Sequence, residues 1–233
     1  MPEPVKVNVV SYGGVKPGQF VIGNTKAGGR FVFFDAARTT SARYVFALNR
    51  GLTAWDVELP ALQEADHMFY GSGISEWHVD LPKLVNSKSM FDSASITVFN
   101  GRLPKLGSAS SMFYACTVEE FVCAELGTLG AGLDGSGMFS GCSRLERFDA
   151  DLSMLNNGKS MFHNCSLGST SAARVLETIP DRASAGLAVA ELNIGKRGKF
   201  KEDPVVKALL GETGAEITAK TYSCKGWNVV VEN

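Results

Sequence analysis

The side chains with a capacity for chemistry fall into three groups, and their spacing decides what each can do. The first group is Asp56, Glu58, His78, Asp80, Asn100, Arg102, Asp149 and Asp151. They occur in pairs two residues apart, inside the segments W-D-V-E-L, W-H-V-D-L, F-N-G-R-L and F-D-A-D-L. A period of two places alternate side chains on opposite faces of a β-strand, so each polar pair projects away from the face that carries the aromatic and the Leu. Stacked in rows, with Val122 and Ala124 beside Glu125 in the intervening row, they form an acidic stripe interrupted by Arg102. Such a stripe suits a cationic protein patch, and Asp, Asn, His and Arg also suit sugar hydroxyls. A merely solvated sheet face carries charge as well, so the pattern alone leaves both readings open. A carboxylate pair such as Glu58 with Asp80 falls short of the roughly six to eight oxygens that calcium takes.

The second group is the metal ligands and nucleophiles. His67, His78 and His163 share no common spacing of the HxxxH kind, which argues against zinc. Five cysteines form an odd set without paired spacing. Cys116, Cys142 and Cys165 occupy one repeated slot that elsewhere holds Ser72 or Ala94, so they read as a ladder of small buried free thiols. Cys123 takes the place of Val57 and Val79, and Cys224 precedes the last apolar segment without an evident partner. With no G-x-S-x-G elbow and with the thiols in core slots, no residue stands out as a nucleophile, and no enzyme activity is expected.

The third group is the string NNGKS at 156–160, which has the ending of a phosphate loop. That loop needs a Gly five residues before its final Gly, and Ser153 is there instead. NSKSMF at 86–91 is the same stretch in an earlier repeat, so the Lys and Ser belong to the repeat. No cofactor is expected.

The elements that position these residues are set by a recurring dipeptide. Met-Phe returns at Met68, Met90, Met112, Met138 and Met161, at intervals of 22, 22, 26 and 23 residues. A degenerate copy, VFALNRGLTAWDVELPAL, begins at Val45. A fixed period in the twenties marks units that cannot bury their own apolar faces and must stack on their neighbours, which is a solenoid. After Met-Phe come an aliphatic slot (Ile74, Ile96, Val118, Leu145, Leu167), an aromatic slot (Trp55, Trp77, Phe99, Phe121, Phe148) and a Leu. The alternating segments predict parallel strands about 4.8 Å apart in one sheet. Pro60, Pro82 and Pro104 follow the buried Leu, where a residue without an N–H can end a ladder. Stretches such as KLVNSKSMF form the return leg.

The 22-residue Leu-rich frame, its Leu81-Pro82 and Leu103-Pro104 pairs, and a Cys four places after Met at Cys116, Cys142 and Cys165 resemble the leucine-rich repeats of bacterial surface proteins of the BspA-like, Treponema-related type. The resemblance covers about residues 45 to 168; LGTLGAGLDGSG departs from the frame and reads as a loop bulging from the sheet edge. It implies an α/β-type right-handed coil with one parallel sheet, acting as a binding module at a cell surface or in a virion.

Residues 1–44 contain VKVNVV, FVIG and FVFFDA between Gly-rich turns and are expected to form a β-rich N-terminal cap, with FVFFDA a candidate zeroth strand of the sheet. Residues 169–233 are expected to form an α/β C-terminal cap: a helix over STSAARVLETIP, a strand at AVAELNIG, a short helix at DPVVKALLGE and a strand at KGWNVVVE. That ending resembles the C-terminal ends of leucine-rich-repeat proteins from gut bacteria and their prophages, and it is expected to continue the same sheet.

Length, charge and hydropathy set the outer bounds. A chain of 233 residues buries enough surface to need no disulfide or metal. A net charge of −1 gives no global attraction to nucleic acid. No apolar run approaches the roughly 20 residues of a membrane-spanning helix. MPEPVKVNVV lacks a basic start and a long apolar stretch, so an ordinary secretory signal is not expected and the compartment stays open. The expected function is non-catalytic binding of a protein or glycan on the sheet face, with a structural part in a cell-surface or phage-derived assembly as the alternative.

Overall fold

A computed structural model of the chain describes residues 19–22, 32–129 and 132–233. Its unit is a turn of backbone built around Met-Phe. His67 and Gly71 flank the first full copy with left-handed φ of 54° and 59°, and the same pair of positions recurs at Ser89 and Ser93, Ser111 and Ala115, Gly137 and Gly141, and Ser160 and Asn164. With left-handed residues four apart, every second N–H points along the stack. Ala65, His67, Phe69 and Gly71 donate to the carbonyls of Asn86, Lys88, Met90 and Asp92 one turn on, while Met68, Tyr70 and Ser72 donate within their own turn. A buried segment that is neither helix nor sheet thereby satisfies its backbone. Left-handed φ strains residues other than glycine, and the side chains at most of these positions are small.

Between the turns and the strands lies a herringbone of rings. Phe46, Phe69, Phe91, Phe113, Phe139 and Phe162 stack in one column, with centroids 5.3 to 5.5 Å apart. Trp55, Trp77, Phe99, Phe121 and Phe148 form the facing column and meet the first edge to face, as at Trp77 with Phe91 and Phe121 with Phe139. Both geometries suit the aromatic quadrupole. The two Trp slots also satisfy their indole N–H, Trp55 on the Val57 carbonyl and Trp77 on that of Val79.

The strands in chain order are β1 (Gln19–Ile22), β2 (Val32–Asp35), β3 (Glu76–Trp77), β4 (Val98–Asn100), β5 (Glu120–Cys123), β6 (Leu133–Asp134), β7 (Arg147–Ala150) and β8 (Leu155–Asn157). After them come helix α1 (Ser169–Thr178), β9 (Ala190–Lys196), helix α2 (Pro204–Leu210), β10 (Thr221–Cys224) and β11 (Trp227–Glu232). Parallel pairing is divided between two walls. One is the sheet β3-β4-β5-β7, in which Phe99 is level with Phe121 and Phe121 with Phe148. The other is the return leg, where single parallel bridges run from Ser41 to Glu64, Asn86, Ser108 and Asp134, and β6 pairs with β8.

Several expectations are corrected here. W-D-V-E-L at 55–59 forms no strand and lies beside the first rung through the Ser75 N–H on the Thr53 carbonyl, and the strands expected at W-H-V-D-L, F-N-G-R-L and F-D-A-D-L end at Trp77, Asn100 and Ala150, leaving His78, Asp80, Arg102 and Asp151 beyond them. The stacked turns begin before residue 45, since Ser41 and Ala42 already pair with Glu64. FVFFDA supplies β2, whose antiparallel partner is β1, rather than a zeroth parallel strand. VKVNVV lies outside the described residues. LGTLGAGLDGSG contributes β6 to the return wall, so only part of it is loop.

The C-terminal cap does not extend the first sheet. The return wall continues instead, from Gly158 to Leu192 in β9, and β9 belongs to a separate sheet of order β10-β11-β9. The edge of β7 is closed by α1, whose Ser171 hydroxyl accepts the Phe148 N–H and donates to the Glu146 carbonyl. A sheet edge needs such cover, and an amphipathic helix burying Ser171, Ala172, Val175 and Leu176 provides it. The hairpin β10–β11 was not legible as two strands. Its turn is Lys225-Gly226, with φ of 48° and 75°, the signs a tight two-residue hairpin requires. Among the described residues, no helix is long and apolar enough to cross a membrane.

Candidate functional site

The eight polar residues lie on and beside the outward face of β3-β4-β5-β7, only Asn100 and Asp149 within its strands, and the structure gathers them unevenly. Asp56, Glu58, His78 and Asp80 line one open cleft of about 410 Å³, walled by Leu59, Pro60, Val79 and Pro82. Asp80 and Arg102 line the adjoining cleft of about 200 Å³, with Pro82, Pro104 and Glu125. Pro82 lines both clefts; Pro60 and Pro82 are exposed, whereas Pro104 is buried. Asn100 is exposed at the end of β4, level with Val122. Asp149 lies one rung beyond Val122, and neither Asp149 nor Asp151 lines either cleft.

The backbone fixes these positions. Gly101 sits between Asn100 and Arg102, in the slot that holds Val79 one rung earlier. A Cβ there would lie 2.8 Å from the Val79 carbonyl oxygen, so only glycine lets this rung close against its neighbour and brings Arg102 onto Asp80. Arg102 donates to Asp80 three times: its backbone N–H to Oδ1 at 2.9 Å, and its Nε and Nη2 to Oδ2 at 2.9 and 2.6 Å. The Arg102 side-chain hydrogen bonds hold the Asp80 carboxyl below its ordinary range, against a smaller opposing effect of burial. Asp80 holds the Arg102 guanidinium above its own, with Glu125 adding to the field.

Several other polar side chains of the face have partners within the chain. His78 Nε2 is 3.4 Å from Glu76 Oε2. Arg147 on β7 pairs with Glu120 on β5, and Arg174 on α1 is 3.6 Å from Asp149. Asp151 accepts the Ser153 N–H at 2.7 Å in a local turn. Asp56 and Glu58 have neither an ion pair nor a side-chain hydrogen bond among the described residues. The stripe is therefore acidic at one end and internally compensated at the other. Glu76, Glu120 and Arg147 were not singled out in the sequence, although Glu120 and Arg147 flank the aromatic slot at equivalent positions. Arg174 had no signal, because it arrives from a helix outside the repeat.

The other candidates for chemistry are structural in this setting. The Cys116, Cys142 and Cys165 thiols donate to the carbonyls of Phe91, Phe113 and Phe139, each one turn back. Burial pushes Cys116 and Cys165 well up, and Cys123 and Cys142 up to about 12, so these thiols stay protonated at neutral pH. Ser72, in the same slot, is buried and its hydroxyl has no partner. Among the described residues, no three His, Cys, Asp or Glu side chains converge as metal ligands would. NNGKS runs through β8 and the next turn, where Gly158 bridges to Leu192 and Ser160 takes left-handed φ, so its backbone is committed to the stack. No family model, no curated protein and no solved structure matches this chain.

Proposed function

We propose that the chain is a leucine-rich-repeat solenoid similar to the BspA-like type, and that it is a non-catalytic recognition module binding a protein or glycan on the exposed face of its repeat sheet. The observation that supports this reading is the cleft at Asp56, Glu58, His78 and Asp80, in which two carboxylates have no internal partner while the rest of the face is compensated. The herringbone core beneath makes the face rigid, so a partner binds without first having to order it. The direction of the Asp80 shift also favours binding over catalysis. A general acid needs a carboxyl pKa raised toward neutrality, and this one is lowered.

The test is an array of glycans and bacterial or host surface proteins, probed with the purified chain and two double variants. Asp56→Lys with Glu58→Lys should abolish a hit made on the cleft, and Asp149→Lys with Asp151→Lys at the compensated end should leave it. Hits indifferent to both would sink the reading. They would favour instead a structural role in a cell-surface or phage-derived assembly that makes its contacts through the C-terminal cap. The exposed apolar side chains Leu187, Val189 and Val205 support that second reading.

A further inference from the structure

The two clefts are copies of one site, one repeat apart. Glu58, Asp80 and Arg102 hold the same repeat position at an offset of 22 residues, and Pro60, Pro82 and Pro104 lie two residues further on. In the second cleft the carboxylate of Asp80 receives a guanidinium supplied by the chain itself, gripped by its Nε and Nη2 and flanked by Pro82 and Pro104. In the first cleft the corresponding carboxylate is Glu58, but the place of the arginine is taken by Asp80. The carboxylate and a pair of lining prolines are repeated, the guanidinium is not, and the open volume is about 410 Å³ against about 200 Å³.

Resting on the recognition reading above, we propose that the first cleft binds an arginine side chain presented by a protein partner, in the manner in which the second cleft holds Arg102. Glu58 is the principal acceptor, taking two guanidinium N–H groups on one carboxylate oxygen, as Asp80 Oδ2 takes Nε and Nη2 of Arg102. Asp56 adds charge from the same rung. Asp80 has one of its roughly four acceptor positions left after Arg102, and it closes the far side. Pro60, Pro82 and Leu59 provide apolar wall for the aliphatic stem. The built-in pair supplies what a set of acidic residues alone would not: an occupied copy of the same cleft, showing which cation its walls accommodate.

The experiment is fluorescence anisotropy of labelled hepta-arginine, hepta-lysine and hepta-citrulline peptides with the full chain at low salt. Hepta-arginine should bind, and the isosteric but neutral citrulline peptide should not. Asp56→Asn with Glu58→Gln should weaken hepta-arginine binding at least tenfold, while Asp149→Asn with Asp151→Asn, the same change in charge at the other end of the face, should alter it less than twofold. Arg102→Ala vacates the second cleft and should add a second binding equivalent.

Equal losses in the two double variants would reduce the effect to diffuse charge and overturn the proposal, as would equally tight hepta-lysine or an unchanged stoichiometry in Arg102→Ala. If array hits depend on Asp56 and Glu58 but hepta-arginine does not bind, the arginine assignment falls and the recognition reading survives. If array hits ignore the face altogether, the recognition reading falls first.

Discussion

The inside of the stacked turns and the outside of the strand wall follow opposite rules. Inside, each column keeps one kind of side chain: six Phe rings in one stack, Trp or Phe in the facing stack, and small Ser, Ala or Cys in a third column. Outside, no two rungs are alike: Asp56 and Glu58 give way to His78 and Asp80, then to Asn100 and Arg102, then to Val122 and Ala124. The contrast teaches where variation is affordable. A ring column admits only another ring, because each ring is packed by the turns before and after it. An outward side chain answers only to solvent and one neighbour, so it is free to serve a partner.

The largest test of that contrast is Phe113→Ala. Phe113 touches Phe91, Phe99, Phe121 and Phe139, so its loss opens a cavity in mid-stack and should cost about 3 to 5 kcal/mol in urea unfolding. Lys105→Ala, at an exposed position, should stay within about 0.5 kcal/mol. Similar costs at the two sites would erase the distinction.

Ser72→Ala sharpens it from within. Ser72 is the thiol-column member whose hydroxyl is buried without a partner, so removing the oxygen should stabilise by about 1 kcal/mol. A loss in the thermal melt would mean the hydroxyl is satisfied. Ala115→Gly works on the turns: Ala115 has φ of 52° where Gly71 and Gly141 occupy the equivalent places, so relief of strain should contribute up to about 1 kcal/mol. No gain on denaturant unfolding would show that the stack imposes no strain there.

Only a small change in stability is expected for Arg102→Ala, because the pair with Asp80 is substantially exposed. Its signature lies in titration. The folded Asp80 carboxyl is depressed, so its contribution is complete above the ordinary value of 3.8 and is lost as pH falls from there through the lowered folded value. In the variant, carboxyl NMR should show Asp80 titrating back toward its ordinary range, and the acid sensitivity from this pair should disappear. An unmoved Asp80 would separate it from Arg102.

How far the sequence could be read divides along the same line. The aromatic slot was legible because Phe99 and Phe121 are level with each other as well as 22 residues apart: in stacked turns, sequence interval and hydrogen-bonded register are one quantity. The helix at Ser169–Thr178 was legible from its apolar spacing. What it covers was not, because closing the edge of β7 through the Ser171 hydroxyl depends on geometry that no local pattern encodes. The eight face residues were legible as outward, but not as compensated. Asp149 is answered by Arg174 and Asp80 by Arg102, and the first of these partners comes from outside the repeat.

The left-handed turns have an electrical consequence. In the Met-Phe column the inter-turn bonds share one polarity, each turn offering its N–H groups to the next, from Phe46 on Met68 through Phe139 on Met161. Peptide dipoles aligned in this way add, as they do along a helix axis, and leave the C-terminal end of the column partially positive. The last turn has no successor to receive its N–H groups. There Asn193 offers its carbonyl to Phe162, and Glu232 offers a carboxylate to the Asn164 N–H, with the His163 ring and the Asn193 amide holding that carboxylate in place. An anion thus terminates the column at the pole that favours one, and the C-terminal cap closes the stack electrostatically as well as sterically.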